Sequence, residues 1–359
     1  MLAALELDGN ASSIHAEGRA ARHAIEDARE KLAGLIGALP RSIVFTSGGT
    51  EANAMALSPA WLPGNGHRRL FVSSIEHASV LRGGRFDRGD LGLLPVDADG
   101  VVTLEAAREV FSAAGAPFIA SLMLANNETG AIQRVAALAE MAHEFGGLVH
   151  CDAAQAVGKI VVDAIALGAD LVTISAHKFG GPKGAGALVV LGDGLPVATL
   201  ISGGGQERGY RAGTEDVAAI AGFGAAAAVV MADGEQRDIA GLRDALEAQI
   251  ASVAPEAVFF ARQAPRLPNT SCFAVPGMSS ETVVIAMDMH GIAVSAGSAC
   301  SSGKVERSHV LDAMGVPAEL GAGAIRVSLG WNSTQADIER FAVAWSAIYG
   351  TFAARRRAS

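Results

Sequence analysis

The chain has 359 residues, half of them apolar and 18% charged, a globular composition long enough for two domains rather than one core. A net charge of -9 argues against nucleic acid as the main partner. Residues Met1 to Asp8 lack the basic start and apolar run of a signal peptide, and the longest uncharged stretch, Val217 to Ala232, is too short to span a membrane. Cys151, Cys272 and Cys300 show no CxxC spacing, so neither a disulfide framework nor a metal site is expected, and the chain is expected in a reducing cytoplasm.

Along the chain, His15 to Ile36 places Ile25, Leu32 and Leu35 on one face of a helix. Strand-like Ile43-Val44-Phe45 leads into Ser47-Gly48-Gly49-Thr50-Glu51, which opens a helix. Short apolar runs follow at Leu70 to Ser73, Phe118 to Leu124, Leu148 to Asp152, Leu171 to Ser175 and Ala187 to Leu191. They read as strands buried on both faces. Helical patterns at Thr103 to Ala113 and Val135 to Phe145 alternate with them, and Val217 to Ala232 reads as a buried helix. This rhythm predicts an α/β layer with a mostly parallel sheet. After Asp233 the rhythm changes to a polar helix from Glu235 to Val253, strands at Thr270 to Val275 and Ile325 to Leu329, and helices at Glu281 to Met289 and Gln335 to Tyr349. A large domain over 13–232 and a smaller α+β domain made of 1–12 and 233–359 are expected. Arg355-Arg356-Arg357 reads as a solvated tail.

Ser175-Ala176-His177-Lys178 stands where a β-branched strand stops, ahead of Gly180-Gly181-Pro182-Lys183-Gly184. A partly buried lysine there can hold an aldehyde cofactor as a Schiff base, while Ser175 and His177 donate to a phosphate. Asp152, ending its strand, suits a protonated pyridine nitrogen, and Gln155 suits the ring's phenolic oxygen. Backbone N–H groups at Gly49 and Thr50, with the Thr50 hydroxyl, suit the phosphate. His77 can stack on the ring and shuttle protons. Taken singly, Asp152 also reads as a helix cap, Gly48-Gly49-Thr50 as a turn and His77 as an ordinary histidine. Together they predict a pyridoxal phosphate (PLP) site.

Two further side chains carry chemistry. Cys300 lies among small residues from Ser295 to Gly303, a composition suited to a nucleophilic thiol on a mobile loop, whereas Cys151 and Cys272 sit in apolar runs and read as structural. Arg326 is a guanidinium inside an apolar strand, fit either for a substrate carboxylate or for a structural ion pair.

The segments Ser47 to Asn53, Ala125-Asn126-Asn127-Glu128-Thr129-Gly130, His150 to Gln155, Ser175 to Lys178 and Gly297-Ser298-Ala299-Cys300 resemble those of the cysteine desulfurases, in order and spacing, from about Gly9 to Asn332. Those enzymes are fold type I PLP-dependent transferases of the class V aminotransferase group. The resemblance implies that Lys178 anchors PLP, that Asn127 lies near substrate and ring, and that Arg326 binds the carboxylate of L-cysteine. It also implies that Thr214 reaches the phosphate of a neighbouring subunit, so that a homodimer shares its sites. Sulfur then leaves L-cysteine, alanine is released, and a persulfide on Cys300 passes to an acceptor such as an iron–sulfur scaffold protein. A selenocysteine lyase, another class V lyase or aminotransferase, and a catalytically silent PLP-binding docking protein remain alternatives.

Two departures stand out. Eight residues precede Gly9, where the family carries a further segment that helps line the substrate pocket. Glu306-Arg307-Ser308-His309 also lacks the proline that the family usually has after its glutamate.

Overall fold

The computed structural model describes residues 1–64, 66–192, 194–233, 238–297 and 307–358. The chain divides into two compact units. The first comprises Met1–Leu94, Thr103–Leu124 and Gln133–Gly234. The second comprises Pro95–Val102, Ala125–Ile132 and Glu235–Ser359.

The first unit is built on strands β1 (Ile43–Thr46), β2 (Arg69–Ser73), β3 (Leu91–Leu94), β4 (Phe118–Met123), β5 (Leu148–Asp152), β6 (Leu171–Ser175) and β7 (Gly186–Val190). They form one seven-stranded sheet in the order β1-β7-β6-β5-β4-β2-β3. Only β7 runs against its neighbours, pairing antiparallel with both β1 and β6. The sheet is therefore mostly parallel, as its uninterrupted apolar runs require. Every residue of β1, β4 and β6 is buried, because helices cover both faces of such a sheet.

Helices of this unit are α1 (Leu2–Leu5), α2 (Ala16–Leu35), α3 (Gly49–Ala56), α4 (Ala78–Leu81), α5 (Leu104–Ser112), α6 (Val135–Glu144) and α7 (Val217–Asp233). Helix α2 buries Ala21, Ile25, Ala28 and Leu32, the stripe its periodicity predicts. It packs closely on α7, where a Cβ at Gly224 would lie 2.5 Å from Ala28 Cα. Helix α7 is buried along its first half, but Val229 and Met231 are exposed, so burial covers less of it than its composition suggests.

Residues 1–12 fall in this first unit. Contact between α1 and α7 draws them there, and a Cβ at Gly222 would lie 3.4 Å from Met1 Cβ. The returns 95–102 and 125–132 likewise cross to the second unit.

The second unit carries a four-stranded antiparallel sheet from β8 (Val258–Phe259), β9 (Thr270–Ala274), β10 (Ser295–Ala296) and β11 (Ile325–Ser328), in the order β10-β11-β9-β8. Its helices are α8 (Ile239–Val253), α9 (Ser280–Met289), α10 (His309–Ala313), α11 (Ala318–Gly321) and α12 (Gln335–Ala358). Phe273 of the buried strand β9 packs among Leu246, Ile250, Val283, Phe341 and Trp345. Asp238 starts α8 by accepting from Gly241 N at 2.7 Å. Helix α12 continues through Gly350 to Ala358, so Arg355, Arg356 and Arg357 are exposed on its last turn rather than in an unstructured tail. Cations there complement the helix C-terminus.

Candidate active site

In the first unit the chemistry collects where β1, β5 and β6 end and β7 begins. Gly186 of β7 pairs with both Thr46 and Ser175, so those two strand ends flank it. A Cβ at Gly186 would lie 2.6 Å from the carbonyl carbon of Gly48, so glycine is needed for the turn to reach this edge. Gly48 itself takes φ +155°, a setting that side chains disfavour. It caps α3 without a side-chain hydrogen bond, leaving the first turn of that helix to face an anion.

The resulting cavity, of about 330 Å³, is lined by Gly48, Gly49, Thr50, Ser175, His177 and Lys183. His177 is exposed and its ring is held below the usual histidine range, first by partial burial and then by the cations Lys178, Lys183 and Lys159. Glycine backbone, hydroxyls and a set of lysines fit a phosphate dianion. Lys178 closes the single turn Ala176–Lys178 that follows β6 and is exposed.

Asp152 is buried at the end of β5, level with Met123 and Thr173 on the neighbouring strands. Its Oδ1 accepts from Ala154 N at 3.0 Å and its Oδ2 from Asn53 Nδ2 at 2.8 Å. Asn53 Nδ2 also donates to Ser79 Oγ at 2.9 Å, and Ser79 Oγ lies 2.8 Å from His77 Nδ1. The His77 ring caps α4 by accepting from Ser79 N. Asn53 Oδ1 is buried without a partner among the described residues.

Gln155 is turned to another use. Its carbonyl and Oε1 accept from Lys159 Nζ at 2.7 and 2.9 Å. Thr214 is exposed, beyond an Arg211 whose Nε donates to Glu51 Oε1 at 2.9 Å. Burial opposes ionisation of Glu51, yet Arg211 and Ser47 hold its carboxyl below the ordinary range. That pair ties the 47–51 turn to the 211–214 segment of the same chain.

The second unit brings Asn127 and Arg326 together. Asn126 Oδ1 accepts from the N–H groups of Glu128 and Thr129, forming the local turn that presents Asn127. Gly130 completes it at φ +77°. Arg326 Nη1 donates to the Asn127 carbonyl at 2.6 Å and Nη2 to Ser295 Oγ at 3.2 Å. Arg326 Nε and Asn127 Oδ1 are both buried and have no partner among the described residues. No carboxylate bonds Arg326 directly among the described residues, and Glu128 acts on it only through space. Glu128, buried beside it, accepts from Ser308 Oγ at 2.5 Å and is pushed up to about 7, by burial above all.

Of the cysteines, Cys151 and Cys272 are fully buried and burial pushes both thiols up, which suppresses the thiolate. Cys300 lies outside the described residues. Asn53, Ser79, Glu51 with Arg211, and Glu128 were not singled out from sequence as site residues. The one signal for Asn53 was a polar residue inside the otherwise small and apolar stretch Ala52-Asn53-Ala54-Met55.

The family profile Aminotransferase class-V matches residues 4–341. A cysteine desulfurase of Cereibacter sphaeroides is 44% identical over 92% of this chain and 86% of its own. The cysteine desulfurase IscS of Dictyoglomus turgidum is 41% identical over 92% and 84%. The crystal structure of a NifS-like protein from Rickettsia africae superposes with a TM-score of 0.88, at 33% identity over 97% of this chain and 94% of that one. The chain belongs to the class-V aminotransferases and, within them, to the PLP-dependent cysteine desulfurases of fold type I.

Proposed function

We propose that this enzyme takes the sulfur of L-cysteine onto Cys300 as a persulfide, releases alanine, and hands the sulfur to an acceptor protein. The balance is simple: L-cysteine and a thiol become alanine and a persulfide. The observation that carries the proposal is the collection of Asp152, Ser175 and Lys178 where strands of one sheet end, with Thr50 in the first turn of α3, beside a glycine-walled cavity that Ser175, His177 and Lys183 also line.

PLP, when bound, supplies the electron sink that makes the substrate α-proton removable. Gly49, Thr50, Ser175 and His177 would hold its phosphate, and Lys178 its aldehyde carbon. Asp152, accepting N–H bonds on both oxygens, would face the ring nitrogen and hold a proton there. With its amine free, Lys178 would take the α-proton, and His77 would assist proton movement beside it. Gln155 would reach the ring's phenolic oxygen after releasing Lys159. In the second unit Arg326 and Asn127 would bind the substrate carboxylate, whose oxygens can satisfy the buried Arg326 Nε. Thr214 would serve the phosphate of a second copy in a homodimer. A large cofactor domain over 13–232 remains our functional division of the chain. The acceptor in this reading is an iron–sulfur scaffold protein and the compartment the cytoplasm; one relative carries the name cysteine desulfurase IscS.

The test is to add PLP and L-cysteine, assay alanine, and map mass on alkylated peptides. One extra sulfur on Cys300, and loss of alanine formation in Cys300→Ala with PLP still bound, are the expected results. A PLP-loaded protein that forms no alanine from L-cysteine overturns the reading.

A further inference from the structure

The path Asp152–Asn53–Ser79–His77 joins two groups that sequence reading assigned separately to the cofactor ring. Its direction follows from the donors. The backbone N–H of Ser79 can only donate, so His77 Nδ1, 3.2 Å away, carries no proton. The Ser79 hydroxyl, 2.8 Å from the same nitrogen, must then be a donor too. Its own lone pair is taken by Asn53 Nδ2, whose second hydrogen goes to Asp152. The His77 ring therefore carries its proton on Nε2. Asn53 is 1% exposed and Asp152 7%, so water cannot substitute for the link at that end.

Resting on the desulfurase reading, we propose that Asn53 and Ser79 are positioning residues that tie His77 to Asp152 and fix the imidazole as the Nε2–H tautomer. His77 then presents Nε2–H to the site as a hydrogen-bond donor. Neither Asn53 nor Ser79 need touch the substrate.

Ser79→Ala, Asn53→Ala and the double variant test the link. If the two residues act as one unit, each single change lowers kcat roughly tenfold and leaves KM within about twofold, and the double variant is no worse than about twofold below the poorer single. Multiplication of the two losses, to about a hundredfold, overturns the link. Ser79→Thr, which keeps a hydroxyl, restores kcat. Failure of that rescue alongside a full loss in Ser79→Ala counts against it. Nitrogen NMR of the full chain labelled in histidine, without and with PLP, reads the tautomer directly, with His77 assigned by its absence in His77→Gln. A protonated Nε2 in the wild type and mixed tautomers in the double variant are expected. A proton on Nδ1 in the wild type overturns the proposal. Absence of alanine formation in the wild type would sink the desulfurase reading instead, and the NMR result on the cofactor-free chain still decides the link.

Discussion

The polar groups of the two units are held in opposite ways. In the first unit Asp152 has both oxygens bonded by the protein's own N–H groups, and the network reaches His77 through Asn53 and Ser79. In the second, Arg326 spends part of its fork on a carbonyl and a hydroxyl and leaves Nε buried without a described partner, as is Asn127 Oδ1. A carboxylate already bonded on both oxygens is oriented before any ligand arrives, although Asn53 Oδ1 in the same network has no described partner. A buried donor left over costs free energy, on the order of 1–3 kcal/mol, until a ligand accepts from it. The first unit is thus built to place chemistry, and the second to gain from binding. Changes in the first should strike kcat or cofactor retention, and changes in the second should strike KM.

The largest effect is expected at Lys178. In Lys178→Ala both the tether and the base vanish, so alanine formation should fall by about 10³-fold or more, with loss of the visible PLP band. Spectra and an alanine assay on one preparation check this. A variant that kept its band and turnover would remove the first unit from the chemistry.

A smaller effect, of the other kind, is expected at Arg326. Losing a charge-assisted bond to a carboxylate costs roughly 1.5–3 kcal/mol, about 10- to 100-fold in kcat/KM, and KM should carry most of it. Arg326→Lys should recover little, because an ammonium cannot reproduce the planar fork. Steady-state kinetics in L-cysteine decide. A fall in kcat with unchanged KM would erase the distinction between the two units.

The same contrast explains what was legible in the sequence. Strand ends were legible because burial on both faces forces long apolar runs, and Asp152, Ser175 and Lys178 stand where those runs stop. Strand β3 was missed because it lies at the sheet edge, is only half buried, and contains Gly92, which a Cβ could not replace without meeting Phe71. Strands β8 and β10, two residues each, carry too short a pattern to read. The end of α12 was missed because Gly350 looks like a stop, yet packing of Tyr349 and Phe352 carries the helix past it. Ser79 and Asn53 are 26 positions apart, and nothing local announces that they meet. Likewise no composition shift marks the contact of α1 with α7.

The smallest effect concerns buried acids, one in each unit, and it separates their stabilities by pH. Glu76 is fully buried, accepts from Ser73 Oγ and Met123 N, and is pushed up from 4.5 to about 8, chiefly by burial. Glu128, slightly less buried, reaches about 7, with burial offset by Ser308 and Arg326, whereas Asp152 adds to the rise at Glu76. A raised carboxyl pKa means that the folded state keeps a proton which the unfolded chain has lost. Stability from Glu76 is therefore full below pH 4.5 and is drained as pH rises to about 8, and that from Glu128 is drained by about 7. His150, buried between Ser121 and Thr173, is lowered from 6.5 to about 4 by burial and works the other way, losing stability as pH falls through that window. The opposing slopes overlap in mild acid, and above pH 6.5 only the glutamates remain. Melting temperature should accordingly fall from pH 6.5 to 8 by roughly a few degrees, at about 2–4 °C per kcal/mol for units of this size. Glu76→Gln should flatten the fall between 7 and 8, whereas Glu128→Gln should flatten only the part below 7. Calorimetry at fixed ionic strength reads both, and identical slopes in the two variants would mean that Arg326 does not distinguish the second unit's acid from the first's.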